Sequence, residues 1–196
     1  VGMMVYRDYG DGYHGGLNDR CVTTAEVLRS AGYQTMLSGK WHVGHEPQSR
    51  PELRGFDKFT GIYSHVDSYW KVLPGCEIYR DSELFIGSDA VPTDPYAPDQ
   101  EFHTTEFFTN VALDYIDQAC REPDDPFYLH LCYNAPHFPL EAPDELIDKY
   151  RGRYRKGWDQ LRAEKLERMQ AMGIVPTSQT LPEAVGYDQE ERKGFD

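Results

Sequence analysis

The chain has 196 residues, 39% of them hydrophobic, and a formal net charge of -13. That is enough apolar content for one domain, or part of one, and too little length for two large ones. The negative field repels polyanions and speaks against nucleic acid or an anionic membrane surface as partner, so an anionic substrate would need a local cationic pocket.

No apolar run approaches the roughly 20 residues of a membrane span, and Val1 to Gly16 lacks the basic-then-apolar pattern of a signal peptide. Val1 in place of an initiator methionine and the polar run to Asp196 predict a piece truncated at both ends. Cys21, Cys76, Cys120 and Cys132 are far apart and form no Cys-x-x-Cys pair, which predicts four buried thiols rather than a zinc or redox site.

Gly2 to Asp19, with Asp8-Tyr9-Gly10-Asp11-Gly12, has neither helical nor strand period and is expected to be loop. Thr23-Thr24-Ala25-Glu26 has the form of a capping box, so a short helix should run from there to Ala31 with Val27, Leu28 and Ala31 on its apolar stripe. Gly32 supplies the left-handed residue that ends it. The next run, Tyr33 to Ser38, is short and bounded by Gly39, which predicts a buried strand delivering Lys40, Trp41 and His42 at its carboxyl end.

Glu46 to Asp99 holds many Pro, Gly and aromatic residues at weak period and is expected to form long loops with short strands over the site. Phe108, Val111, Ala112, Tyr115, Ile116 and Ala119 recur at steps of three and four behind a Thr104-Thr105 cap, an amphipathic helix that Pro123 closes. Phe127 to Tyr133 then predicts a second strand, from whose end hangs the loop Asn134-Ala135-Pro136-His137. A short helix near Asp144 to Tyr150, a surface helix over Arg155 to Met172, and irregular chain from Pro176 complete the reading.

Helix followed by strand is an α/β pattern, and in open α/β sheets ligands bind beyond the carboxyl ends of the strands. Lys40, His42 and His137 should therefore share one rim. By spacing alone, Lys40-x-His42 is an ordinary solvated pair and His137 an ordinary packed histidine held between prolines. His45 and His65 acquire no role beyond lining a substrate mouth, and Trp41 is expected to be a packing wedge.

A longer pattern changes this weighting. Ala31 to Gly44 closely resembles the Gly-Tyr-x-Thr…Gly-Lys-Trp-His-Leu-Gly signature of sulfatases. The segments Thr23 to Leu28, Arg54-Gly55-Phe56-Asp57, Pro126 to His137 and Lys149 to Trp158 resemble further parts of that family in the same order. The resemblance implies an α/β, alkaline-phosphatase-like sandwich with a mixed, largely parallel central sheet flanked by helices. Residues 1–196 would be a partial domain, a piece of the catalytic N-terminal domain.

It also implies that Lys40 contacts the sulfate group, that His42 touches the catalytic formylglycine and serves as the base, and that His137 contacts the sulfate near the ester oxygen. Sulfate ester hydrolysis needs an in-line nucleophile, cationic donors on the sulfuryl oxygens and an acid for the leaving oxygen, and these residue types suit the last two needs. The implied substrate is a small-molecule or carbohydrate sulfate ester. The implied location is periplasmic or secreted, with a cytoplasmic one left open, as is the oligomeric state.

The family's nucleophile arises in a Cys/Ser-x-Pro/Ala-x-Arg motif, and Cys21-Val22-Thr23-Thr24-Ala25 is not one. Formylglycine and the calcium ligands are thus expected outside this chain. Asp8, Asp11 and Asp19 are taken as solvated loop carboxylates, and His42-Val43-Gly44-His45 not as a zinc pair. The chain alone is expected to be inactive even with calcium. Two alternatives stay open: a phosphonate monoester or phosphodiester hydrolase of the same superfamily, and a non-catalytic protein that retains the pocket.

Overall fold

The computed structural model describes residues 15–44, 46–87, 102–122 and 124–182. They group into two compact units, Val1–Glu141 and Ala142–Asp196. The first unit is built on α1 (Thr24–Ser30), β1 (Gln34–Lys40), two 3-10 turns (Pro47–Ser49 and Pro51–Leu53), β2 (Lys58–Ile62), β3 (Ile78–Arg80), β4 (Glu83–Ile86), α2 (Thr104–Ala119) and β5 (Phe127–Cys132). The strands form one sheet in the order β4-β3-β2-β1-β5. β1 runs parallel to both β2 and β5, whereas β3 and β4 are antiparallel additions at one edge, giving the mixed, largely parallel sheet expected from the sequence.

Alternation along the strands puts a helix on each face. Leu37 and Phe59 point to the side of α1, where they pack with Ala25, Phe56 and Tyr63. Met36 points the other way, toward Val111, Tyr115 and Ala119 of α2. On that second face the Ser38 hydroxyl donates to the Phe108 carbonyl at 2.8 Å, and Thr60 and Tyr115 share a hydroxyl–hydroxyl bond of 2.8 Å. Each such buried bond spares a polar group the desolvation cost it would otherwise carry into the core.

The helix α1 starts and stops as its sequence dictates. Glu26 N–H donates to the Thr23 hydroxyl at 3.0 Å while Thr23 N–H donates to the Glu26 carboxylate at 2.6 Å, the reciprocal capping box. At its end Gly32 has φ 86, Gly32 N–H reaches Arg29 O and Tyr33 N–H reaches Leu28 O, a Schellman termination.

The segment Arg54-Gly55-Phe56-Asp57 clasps this helix to the sheet. Arg54, 6% exposed, donates to Glu26 at 2.9 Å and to the carbonyls of Asn18 and Cys21. Asp57 accepts from the Thr35 amide and hydroxyl at 3.0 and 2.9 Å and pairs with Arg29 at 3.0 Å. Gly55 has φ 94, and a Cβ there would lie 2.3 Å from the Glu26 amide nitrogen, so no larger residue fits the clasp.

Three details differ from the sequence reading. The cap of α2 is His103, whose Nδ1 accepts from Thr105 N–H at 3.3 Å, because Thr104 is buried with its own amide spent on the Tyr69 carbonyl. β1 continues through Gly39 to Lys40, since Gly39 at φ 112 lets the Cys132 carbonyl approach where a Cβ would sit 1.9 Å away. The four cysteines are not uniformly buried: Cys76 is, Cys21 and Cys132 are half-buried, and Cys120 is exposed at the end of α2. Pro123, His45, Asp8 and Asp11 lie outside the described residues.

The second unit holds α3 (Asp144–Tyr150) and α4 (Gly157–Ala171) where expected, and Gln170 pins the irregular chain after α4 by donating to the carbonyls of Pro176, Thr177 and Gln179. Trp158 and Met172 are exposed on it, in keeping with the surface helix foreseen.

Candidate active site

Three neighbouring parallel strands, β2, β1 and β5, end on the same side of the sheet, and each hands over to a loop bearing a histidine. Lys40 is the last residue of β1, opposite Ile62 of β2. Trp41 N–H then donates to Ile62 O at 2.9 Å and His42 N–H to Tyr63 O at 3.0 Å, which prolongs the pairing past the strand end. Trp41 is wedged edge-on against Phe56 at 5.8 Å, and its indole N–H donates to the Ser49 carbonyl, as a packing residue should.

His42 itself is held with φ 51, in the left-handed region that a branched or bulky residue enters at a cost of about 1 to 3 kcal/mol. Such strain persists only where neighbouring contacts enforce it, here the bond to Tyr63 and the packing of Trp41. Its Nε2 is buried and has no hydrogen-bond partner among the described residues. Burial is the first cause, and the charges of Lys40, His65 and His137 the further ones, that lower its pKa from 6.5 to about 4. The Lys40 ammonium is lowered by burial, with no described anion to offset it.

From the neighbouring strand, His137 sits in the turn closed by its own amide donating to Asn134 O at 3.0 Å. Its ring stacks on Phe138 at 4.8 Å, and Nδ1 stands 2.7 Å from the Phe138 carbonyl. A carbonyl only accepts, so Nδ1 carries the hydrogen and Nε2 is the nitrogen left for a ligand. Tyr69 from the loop after β2 donates its hydroxyl to His137 O at 2.5 Å, and Glu141 accepts from Ser68 and from Tyr69 N–H, tying the two loops together.

Lys40, His42 and His137 thus lie at the same side of the sheet, and His65, from the loop after β2, joins them. Its Nδ1 is 2.9 Å from the Ser64 hydroxyl and its Nε2 3.3 Å from Asp67. Sequence reasoning left it without a partner because β2, the strand that presents it, has only five residues and contains Gly61. The signal available was a His three residues past a short aromatic and Thr-bearing run.

A separate cleft of about 830 Å3, lined by Gly16, Asp19, Cys21, Glu26, Gly44 and Arg54 among others, does not include these groups. At the strand ends, by contrast, the Lys40 ammonium and the orphaned Nε2 of His42 lie on the side of the sheet where the His65 and His137 loops emerge. Asp19 is exposed, as expected of a solvated carboxylate. Among the described residues only His65, Asp67 and Cys76 cluster as three possible metal ligands, and a single carboxylate with a thiol and an imidazole does not fit calcium, which takes 6 to 8 oxygens.

Comparison with known proteins gives this geometry a context. The chain is 34% identical, over 84% of its length, to an uncharacterized sulfatase of Schizosaccharomyces pombe. It is 30% identical over 88% of its length to an arylsulfatase of Klebsiella aerogenes, and 34% identical over 71% to the human N-acetylgalactosamine-6-sulfatase. It spans only 30%, 36% and 27% of those three proteins. Among solved structures, Ps i-CgsB in complex with k-i-k-neocarrahexaose matches with a TM-score of 0.52 at 25% identity, over 65% of this chain and 29% of that one. The fold is the alkaline-phosphatase-like α/β sandwich, present here as a partial domain. With residues 2–185 matching the family model described as Sulfatase, the chain belongs to the sulfatase family.

Proposed function

We propose that residues 1–196 are part of the catalytic domain of a sulfuric ester hydrolase, in which Lys40, His42 and His137 bind the sulfate ester and move its protons. The reading rests most on one observation: β1 and β5 are adjacent and parallel, so Lys40 and the turn bearing His42 leave the sheet on the same side as the loop bearing His137.

The Lys40 ammonium is the donor for the sulfuryl oxygens. Being desolvated in advance, it gains more from an arriving anion than a hydrated lysine would. His42, neutral at pH 7 with an unpartnered Nε2, is poised to accept a proton. The negative charge of a bound ester would offset its cationic neighbours and raise its basicity toward the working pH. His137, anchored through Nδ1, offers Nε2 to the ester oxygen and, when protonated, supplies the leaving group with its proton. Formylglycine, from a motif that this chain lacks, would supply the nucleophile.

The relative named N-acetylgalactosamine-6-sulfatase and the structure holding a neocarrahexaose support a carbohydrate sulfate as substrate class, with aryl sulfates as convenient probes. In the full-length enzyme, Lys40→Ala should lower kcat on an aryl sulfate about a hundred- to a thousandfold, the loss of one positioned donor worth about 2.7 to 4 kcal/mol. Turnover unchanged by that substitution, or a wild type that prefers phosphodiesters to sulfates, would overturn the reading.

A further inference from the structure

The loop that follows β2 carries a constellation with a chemistry of its own. His65, Asp67 and Cys76 bring an imidazole nitrogen, a carboxylate oxygen and a sulfur to within 4.8 Å of one another. His65 Nε2 lies 3.3 Å from one Asp67 oxygen, and Cys76 Sγ lies 3.6 Å from the other. Tetrahedral zinc, with bonds of about 2.0 to 2.3 Å, holds its ligand atoms about 3.3 to 3.8 Å apart. We propose that His65, Asp67 and Cys76 form a three-ligand site for a zinc-class divalent ion, with a fourth position open to water.

Four further features support the site. The donor set selects the ion: thiolate and imidazole favour zinc over calcium or magnesium, which ask for oxygen. The ring of His65 turns Nε2 toward the cluster: without metal Nε2–H faces the Asp67 carboxylate at 3.3 Å and Nδ1 accepts from the Ser64 hydroxyl at 2.9 Å, and on ligation the hydrogen shifts to Nδ1, which then donates to Ser64 Oγ. This is the outer-shell support that metal-bound histidines usually have. Cys76 is 3% exposed whereas the Asp67 side chain is 58% exposed, so the thiol forms the inner wall and the carboxylate the mouth through which an ion enters. Cys76 is held in place by its amide donating to Leu73 O at 2.9 Å, in a turn that includes Gly75 at φ 85.

On binding, the Cys76 S–H bond breaks, a sulfur–metal bond forms, and the proton passes to the buffer. Nothing in this depends on whether the parent protein hydrolyses sulfate esters. An ion here would, however, hold His65, one of the groups that act on His42.

The test is a titration of the metal-free full chain with Co2+, the usual spectroscopic stand-in for zinc. One equivalent should produce a thiolate-to-cobalt charge-transfer absorption and the intense visible bands of tetrahedral cobalt, and added Zn2+ should bleach both. Cys76→Ser should abolish the charge-transfer band. Asp67→Asn and His65→Gln should weaken cobalt binding about tenfold or more. Absence of the band in the wild type would overturn the site, and so would its persistence in Cys76→Ser, which would assign the thiolate to Cys21, Cys120 or Cys132. Should Cys76→Ser fail to fold, as judged by circular dichroism, the exposed Asp67→Asn decides: unchanged cobalt affinity there also overturns the proposal.

Discussion

The two ends of β1 treat buried polar groups in opposite ways. At the amino end Thr35, Arg54 and Asp57 satisfy one another and the backbone around them: the Thr35 hydroxyl reaches Gly55 O at 2.6 Å, and Arg54 spreads its donors over Glu26, Asn18 and Cys21. At the carboxyl end Lys40 is desolvated without a described anion, and His42 is strained at φ 51 with a buried, unpartnered nitrogen. The amino end is built as a structural clasp. The carboxyl end keeps its polar groups under-satisfied, the condition under which a site gains most from an incoming anion.

Substitutions at the two ends should therefore differ in sign as well as size. Arg54→Ala removes one partner of a nearly buried pair and leaves three acceptors behind, so it should cost about 3 kcal/mol in urea unfolding. A loss below about 1 kcal/mol would show that water replaces the clasp easily. Lys40→Met should leave stability unchanged or raise it by about 0.5 to 1 kcal/mol, since a desolvated charge is removed while its apolar stem is kept. A marked loss would mean that Lys40 has a structural partner, and the contrast between the ends would fail.

A third test lies in pH dependence. The folded His42 titrates near 4 against about 6.5 unfolded, so between those values the unfolded chain binds more protons and stability rises with pH. The contribution is fully lost below pH 4 and fully present above 6.5. Glu26 acts in the same direction at lower pH: burial works to raise its carboxyl, but the bonds from Arg54 and Thr23 outweigh it and bring the net pKa down. His42→Asn should flatten the slope between pH 4 and 6.5 and spare the acid limb below it. An unaltered slope in that window would mean that the ring is not desolvated as described.

Much of this was legible in the residues. Thr23 and Glu26 announced α1, Gly32 its end, and the three- and four-residue steps of Phe108 to Ala119 announced α2, because each depends on neighbours within a few positions. β2 was missed. Its Gly61 weakens the strand signal, and the reason for that glycine is remote: a Cβ there would lie 1.8 Å from the carbonyl of Gly39 in β1. The cap of α2 was misassigned to Thr104 and Thr105 for a similar reason, since the Thr104 amide is claimed by Tyr69, far back in the chain.

The sequence by itself determined the local grammar of helices and strands, and, through Gly-Lys-Trp-His and Ala-Pro-His, the residue types available for catalysis. Sequence placed Lys40, His42 and His137 on one rim only through the general rule for α/β sheets; the tertiary structure decided that β2, β1 and β5 lie side by side and parallel, which brings the loop of His65 to the same side. Strand order is set by which apolar faces and backbone edges satisfy one another across long separations, and no short-range pattern carries that information. The same holds for the cluster of His65, Asp67 and Cys76, whose spacing resembles no metal motif until the loop folds back on itself.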